Sequence, residues 1–334
     1  MMKYSYAPRR RSNRLVAALA VASTAALLFS ACSAPEAENP GSSGEKKFTI
    51  GVSEVSTEIP FLATLDDSIK SKAAELGMDT VVLNGELDIA KQIANIRTLI
   101  SQNVDAIMVI SGDPTAPIDA IAEANEAGIP VFAVNAALDD AAEVVTYIGA
   151  SDYDYGVAQG ELLIDALPDG GNVAVILGLL GGVPQVQRLA GLEEAIKDHP
   201  EIKIVDQPSD DFDNQKNLAV VQDLLTKYPE GELDAIVAQG PQLYVGANYA
   251  KEQGRDDILF IAGDYPTQIE DAIKSGAIYG SVDQSPVAQG EKAAEYAYAW
   301  LTGKKDEVEQ PQFLIDLPAV TAENVDDNPS SWGF

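Results

Sequence analysis

The sequence predicts an α/β protein made of two doubly wound lobes, each a parallel sheet with helices on both faces. Three observations carry this. Strand-like and helix-like segments alternate from about residue 48 onward, and the series starts afresh after Ile148. The strand segments are unbroken apolar runs, such as ILFIA at 258–262, which suits strands buried on both faces rather than half-exposed ones. Several of these runs stop on polar residues: ILFIAGDYP on Asp264, VFAVNA on Asn135, AIVAQG on Gln239 and Gly240, and IYGSVDQSP on Asp283 and Gln284. Ligands in open α/β sheets bind at the carboxyl ends of the strands, where loops and helix N-termini converge. Any one of these residues is more simply a turn former. Their recurrence at separate strand ends is what suggests a pocket for a small hydroxylated ligand.

Taken in order, residues 48–52 form the first strand, and Pro60 opens a helix whose Leu62, Leu65, Ile69, Ala73 and Leu76 recur at spacings of three and four. A strand over 79–83, a helix over 89–100, a strand over 106–110 ending in SGDP, a helix over 117–127 and strands over 131–134 and 144–148 complete the first series. The second runs helix 155–166, strand 173–177, helix 186–197 and strand 202–205. A helix over 214–228 follows with Leu218, Val221, Leu224 and Leu225 on one face. Strand 235–238, helix 243–253, strand 258–262, a short helix 268–274, strand 278–282 and helix 287–301 end the pattern. A crevice lies between two such lobes.

Ahead of this, Lys3, Arg9, Arg10, Arg11 and Arg14 form a basic region without acidic residues, followed by an apolar run over 15–29 and then small residues. That is the pattern of a secretory signal over 1–31, too short and wrongly flanked for a spanning helix. Its end, LFSAC, resembles a bacterial lipobox, in which the cysteine is diacylated, although Phe29 stands where Leu is usual. Cys32 is the sole cysteine, so there is no disulfide and no thiolate metal cluster; a cysteine between a signal and a polar tail reads as a lipid attachment point. Residues 33–47, SAPEAENPGSSGEKK, read as a flexible tether. Without the signal, 17 basic residues face 52 acidic ones, a net charge of −35. Such a field repels nucleic acid and anionic headgroups.

The chain is poor in catalytic groups. His199, the only histidine, precedes Pro200 at a helix end, where capping explains it, so neither a Ser-His-Asp set nor a histidine metal site is available. The glycines of GLLGG at 178–182 match neither a dinucleotide fingerprint nor a phosphate loop. Asp210 and Asp211 are adjacent, but on so acidic a chain solvated charge is the simpler account. No enzyme activity, cofactor or metal is expected.

The mature chain resembles the type I periplasmic sugar-binding proteins of ABC importers, the ribose-binding group in particular. The resemblance covers residues 48–317 and is carried by PFL at 60–62, VDAIMVIS at 104–111, AGIPVFAVN at 127–135, YIGASD at 147–152, RLAGL at 188–192, DFD at 211–213, AQG at 238–240, AGD at 262–264 and DQSP at 283–286. It implies two lobes, 48–151 with 285–316 and 152–284 with 317–334, joined by three crossovers near Ser151, Gln284 and Asp316 and closing on ligand. It implies pocket roles for Phe61 and Phe212 as aromatic rings against the sugar, Asn135, Asp264 as the pocket aspartate, and Gln284 at the hinge. A carboxylate accepts from vicinal hydroxyls, and amides supply donors and acceptors. Four positions depart: Ile59 replaces a polar residue, Ala136 and Val186 replace arginines, and Gly240 with Pro241 replaces Asn-Asp. Two lost arginines remove bidentate clamps, which argues against ribose itself. Gln185, Gln242, Tyr244 and Tyr265 are candidates to compensate.

The resemblance implies a lipid-anchored solute-binding subunit that hands a small sugar or polyol to an ABC permease. A receptor subunit presenting a sugar-like signal, such as a furanosyl autoinducer, to a membrane sensor is the alternative. A dehydrogenase on this fold lacks its fingerprint, and a transcriptional repressor lacks its N-terminal DNA-binding helices.

Overall fold

The computed structural model describes residues 47–334; the expected signal, Cys32 and all but the last residue of the expected tether lie outside the described residues. The elements are β1 (Thr49–Glu54), α1 (Pro60–Glu75), β2 (Asp79–Asn84), α2 (Ile89–Ser101), β3 (Ala106–Ile110), α3 (Ile118–Glu126), β4 (Val131–Val134), β5 (Tyr147–Gly149), α4 (Asp152–Ala166), β6 (Gly171–Ile176) and α5 (Val183–Ile196). They continue as β7 (Ile202–Asp206), α6 (Asn214–Lys227), β8 (Ala235–Ala238), α7 (Leu243–Glu252), β9 (Leu259–Gly263), α8 (Thr267–Lys274), β10 (Gly280–Val282), α9 (Pro286–Leu301), β11 (Gln312–Leu314) and β12 (Ala319–Thr321).

Two six-stranded sheets result, ordered β11-β5-β4-β3-β1-β2 and β12-β10-β9-β8-β6-β7. Every named pairing is parallel except β10 with β12. In both sheets the first strand of the series lies inside and its successor on the edge, so the strand order reverses beside it, the place where such sheets form a crevice. The central strands β3, β4 and β8 are buried along their whole length, as their unbroken apolar runs require. Helices pack on both faces of each sheet through separate apolar clusters, for instance Leu65 and Ile69 of α1 against one sheet and Val221 and Leu224 of α6 against the other.

Helix starts follow local chemistry. Asp88, Ser151, Asp213 and Ser285 accept from the backbone N–H groups of the first turns of α2, α4, α6 and α9, and Pro occupies the first turn of α1, α5 and α9. The Ser151 and Ser285 caps start α4 and α9 three and one residues earlier than apolar periodicity suggests. β11 and β12 were not expected: QFL and AVT are three residues each beside Pro311 and Pro318, too short to show a period. The strand expected over 144–148 is regular only from Tyr147.

α4 and α5 approach backbone to backbone. A Cβ on Gly156 would lie 2.0 Å from Arg188 O, and one on Gly191 2.0 Å from Tyr153 O, so only glycine fits at either place. This contact delivers Arg188 of α5 to Tyr155 of α4, beneath the end of β9.

Candidate ligand-binding site

Three residues at strand or loop ends, Asn135, Phe212 and Asp264, have φ of 63°, 58° and 56°. A left-handed backbone at non-glycine residues is uncommon and, for a bulky ring such as Phe212, costly; it persists only where surrounding structure enforces it. All three are among the five positions singled out by the sequence resemblance.

Asp264 follows β9 and is 8% exposed. Its Oδ1 accepts from Tyr155 Oη at 3.2 Å and from Gln284 Nε2 at 2.7 Å, and its carbonyl accepts from Ser281 Oγ. Both side-chain bonds fall on Oδ1. Burial raises the Asp264 pKa above the ordinary aspartate range, against the opposing pull of the Arg188 charge and the bonds from Gln284 and Tyr155.

The bonds continue across the hinge. Gln289 of α9, fully buried, donates from Nε2 to Gln284 O at 2.9 Å, and its Oε1 accepts from Asn135 Nδ2 at 3.1 Å. Asn135, at the end of β4 in the first sheet, is thus connected through Gln289, Gln284 and Asp264 to Tyr155 on α4 of the second lobe. Asp283 beside this hinge is pushed up to about 7, by burial first and then by the Asp264 charge.

Beneath Tyr155, Arg188 is 5% exposed, its guanidinium carbon 4.0 Å from the ring centroid. Nε donates to Asp152 Oδ1 at 2.9 Å and Nη1 to Gln239 O at 2.7 Å. Burial opposes its charge, but Asp152, Tyr155 and Asp264 together outweigh that and hold it protonated. The Gln239 amide in turn accepts from Gly178 N and donates to Gln185 O, both at 2.9 Å, fixing the loop after β6.

Phe212 seats against Gly178 and Gly240: a Cβ there would come within 2.1 Å and 2.6 Å of its ring. The departure to Gly at 240 therefore makes room for this ring. Phe61, on the first turn of α1, packs edge-on against Trp332 with centroids 5.4 Å apart.

The four compensating candidates separate. Gln242 Oε1 is buried without a partner and sits beside Gly240. Tyr244 accepts at Oη from Asn214 Nδ2 and packs its ring on Phe334. Gln185 uses its amide oxygen on Gly181 N within its own loop. Tyr265 has its ring 2% exposed within the second lobe's core, and its hydroxyl donates to Asn328 O. Sequence reasoning did not single out Tyr155 and Gln289, which bond to Asp264 and Asn135, or Trp332, which packs on Phe61. Gln289 offered a signal, a polar residue on the otherwise apolar inner face of α9.

The chain belongs to the periplasmic binding protein family: residues 50–305 match the model described as "Periplasmic binding protein domain". Among relatives, the ribose import binding protein of Bacillus subtilis is 31% identical over 83% of this chain and 90% of its own length. A xylitol-binding protein of Mycolicibacterium smegmatis is 26% identical over 93% of this chain and 86% of its own length. A solved ABC transporter solute-binding protein of Bacillus halodurans with bound myo-inositol superposes with a TM-score of 0.77 at 28% identity, covering 85% of this chain and 98% of that one.

Proposed function

We propose that the chain is the extracytoplasmic solute-binding subunit of an ABC importer, taking a small sugar or polyol between its lobes and delivering it to a permease. The observation that carries this reading is the run of polar side chains from half-buried Asn135 through buried Gln289, Gln284 and Asp264 to Tyr155, which joins the strand ends of the two sheets. It holds Asp264 Oδ1 and Asn135 Nδ2 in place while leaving Asp264 Oδ2, Asn135 Oδ1 and Gln284 Oε1 to accept from hydroxyls. Preorganised acceptors on both sides of a hinge suit a polyhydroxylated ligand that is satisfied only when the lobes close.

In this reading the lobes comprise 48–151 with 285–316 and 152–284 with 317–334. Phe61 and Phe212 supply apolar faces for the C–H side of the ligand, and Gln242 supplies a further acceptor. Arg188 is engaged by Asp152, Gln239 and Tyr155, so it positions the floor of the site rather than clamping a ligand. The overall charge of −30 and the Asp264 carboxylate favour a neutral ligand over an anionic one. Relatives named for ribose and xylitol and a neighbour holding myo-inositol support this class. Attachment to the membrane through a diacylated Cys32 completes the proposal.

A thermal-shift screen of pentoses, hexoses, polyols and inositols tests it. A ligand at about 100 times its dissociation constant stabilises by roughly 2.7 kcal/mol, enough to raise the melting temperature by several degrees. A panel in which nothing raises it contradicts the proposal.

A further inference from the structure

The last five residues, SSWGF, were absent from every sequence motif, yet their rings lie between Phe61 of α1 and Tyr244 of α7. Their backbone is tied to the second lobe just past Asp264. Ser330 Oγ donates to Tyr265 O at 2.7 Å, Ser330 N to Glu270 Oε2 at 2.7 Å, and Thr267 N to Trp332 O at 2.8 Å. Gly333 passes so close that a Cβ would lie 2.3 Å from Thr267 Oγ1. From this mooring the Trp332 indole reaches the first lobe, where it joins the apolar cluster of Phe61, Leu62 and Leu65 and meets the Phe61 ring edge-on. Phe334 continues the contact, 5.7 Å from Trp332 and 5.9 Å from Tyr244 of α7, so four rings bridge from α1 to α7.

Packing alone accounts for the indole carbons but not for the nitrogen. Trp332 is 6% exposed, and its Nε1–H is buried with no acceptor, an arrangement a folded protein usually avoids for indole donors. An acceptor supplied by the ligand resolves it. Resting on the sugar-binding reading above, we propose that Trp332 is a ligand-contacting, specificity-determining residue, its Nε1–H donating to a hydroxyl oxygen of the bound sugar or polyol beside Phe61. Being carried by one lobe and packed on the other, it also makes that contact dependent on closure.

The test uses D-ribose, xylitol and myo-inositol as probes, titrated by calorimetry into wild type, Trp332→Phe and Trp332→Leu, with melting curves of each unliganded protein. Phe keeps an aromatic ring for Phe61 and removes the donor with part of the ring volume, a loss of packing that Trp332→Leu shares. Loss of one neutral hydrogen bond with its partner hydroxyl left buried should weaken the best-bound probe about threefold to thirtyfold. In a Trp300→Phe background Trp332 is the sole tryptophan, and its emission should change with the calorimetric dissociation constant. Trp300 stands apart, edge-on to Phe132. A Trp332→Phe protein that binds within twofold of wild type, whatever its melting temperature, overturns the inference while leaving the sugar-binding reading intact. Tighter binding also overturns it, because the segment would then compete with ligand. Failure of all three probes to bind wild type, together with a blank thermal-shift panel, overturns both.

Discussion

Asp264 concentrates the chemistry of the site on a single carboxylate. Truncation to Ala leaves ligand hydroxyls unpaired on closure and removes charge-assisted bonds of about 1.5–3 kcal/mol each, so affinity should fall by roughly two to four orders of magnitude in calorimetric titration. Asp264→Asn should fall between, since the amide keeps an acceptor, its shape and tolerance of the left-handed backbone. An Asp264→Ala protein with unweakened affinity would refute the pocket assignment. Because burial raises this pKa, binding should weaken on acidification before the ordinary aspartate range is reached. Asp66 of α1 makes a separate statement about stability. Both its carboxylate oxygens are buried without partners, and burial pushes it up to about 6, with Lys70 opposing and Asp67 adding to the rise. A pKa raised above the unfolded value of 3.8 means that the folded state holds the proton more tightly. Its contribution to stability is therefore full below about pH 4 and declines as pH rises towards 6, by roughly 3 kcal/mol in all. Asp66→Asn should raise the melting temperature at pH 7.5, and the gain should vanish near pH 4; a gain independent of pH would contradict this.

The α4–α5 contact shows how an element-level feature sets the site. Gly156→Ala places a methyl against the Arg188 carbonyl, forcing the helices apart at a cost of about 1–3 kcal/mol and lifting Arg188 from Tyr155. Urea midpoints should fall, and ligand affinity should fall with them; unchanged affinity in a destabilised protein would show that Arg188 has no positioning role. The glycines and Arg188 were visible in the sequence, but not that they touch, because helix–helix approach is a tertiary fact. Most elements were legible for a physical reason: strands buried on both faces write unbroken apolar runs, and Asp, Ser and Pro punctuate helix starts. What escaped was short or solitary. β11 and β12 are three residues long, and Trp332 lies in a segment with no period at all. Of the site, strand-end polar residues announced themselves by position, whereas the bonds from Tyr155 to Asp264 and from Asn135 to Gln289 span 109 and 154 residues along the chain.

In the whole molecule, two six-stranded sheets are joined by a hinge crossed by buried amides, and the proposed function adds a lipid anchor at Cys32. Expressed in a bacterial host, wild type should partition with membranes and Cys32→Ala should not; equal solubility of the two after signal cleavage would remove the lipid anchor. Under the proposed function ligand is held by acceptors from both lobes, so that binding and closure are one event. Small-angle scattering of the protein with and without the strongest ligand from the thermal-shift screen measures this directly. The radius of gyration should decrease at saturation as the crevice shuts, and a saturated protein whose radius is unchanged would contradict a site completed by closure.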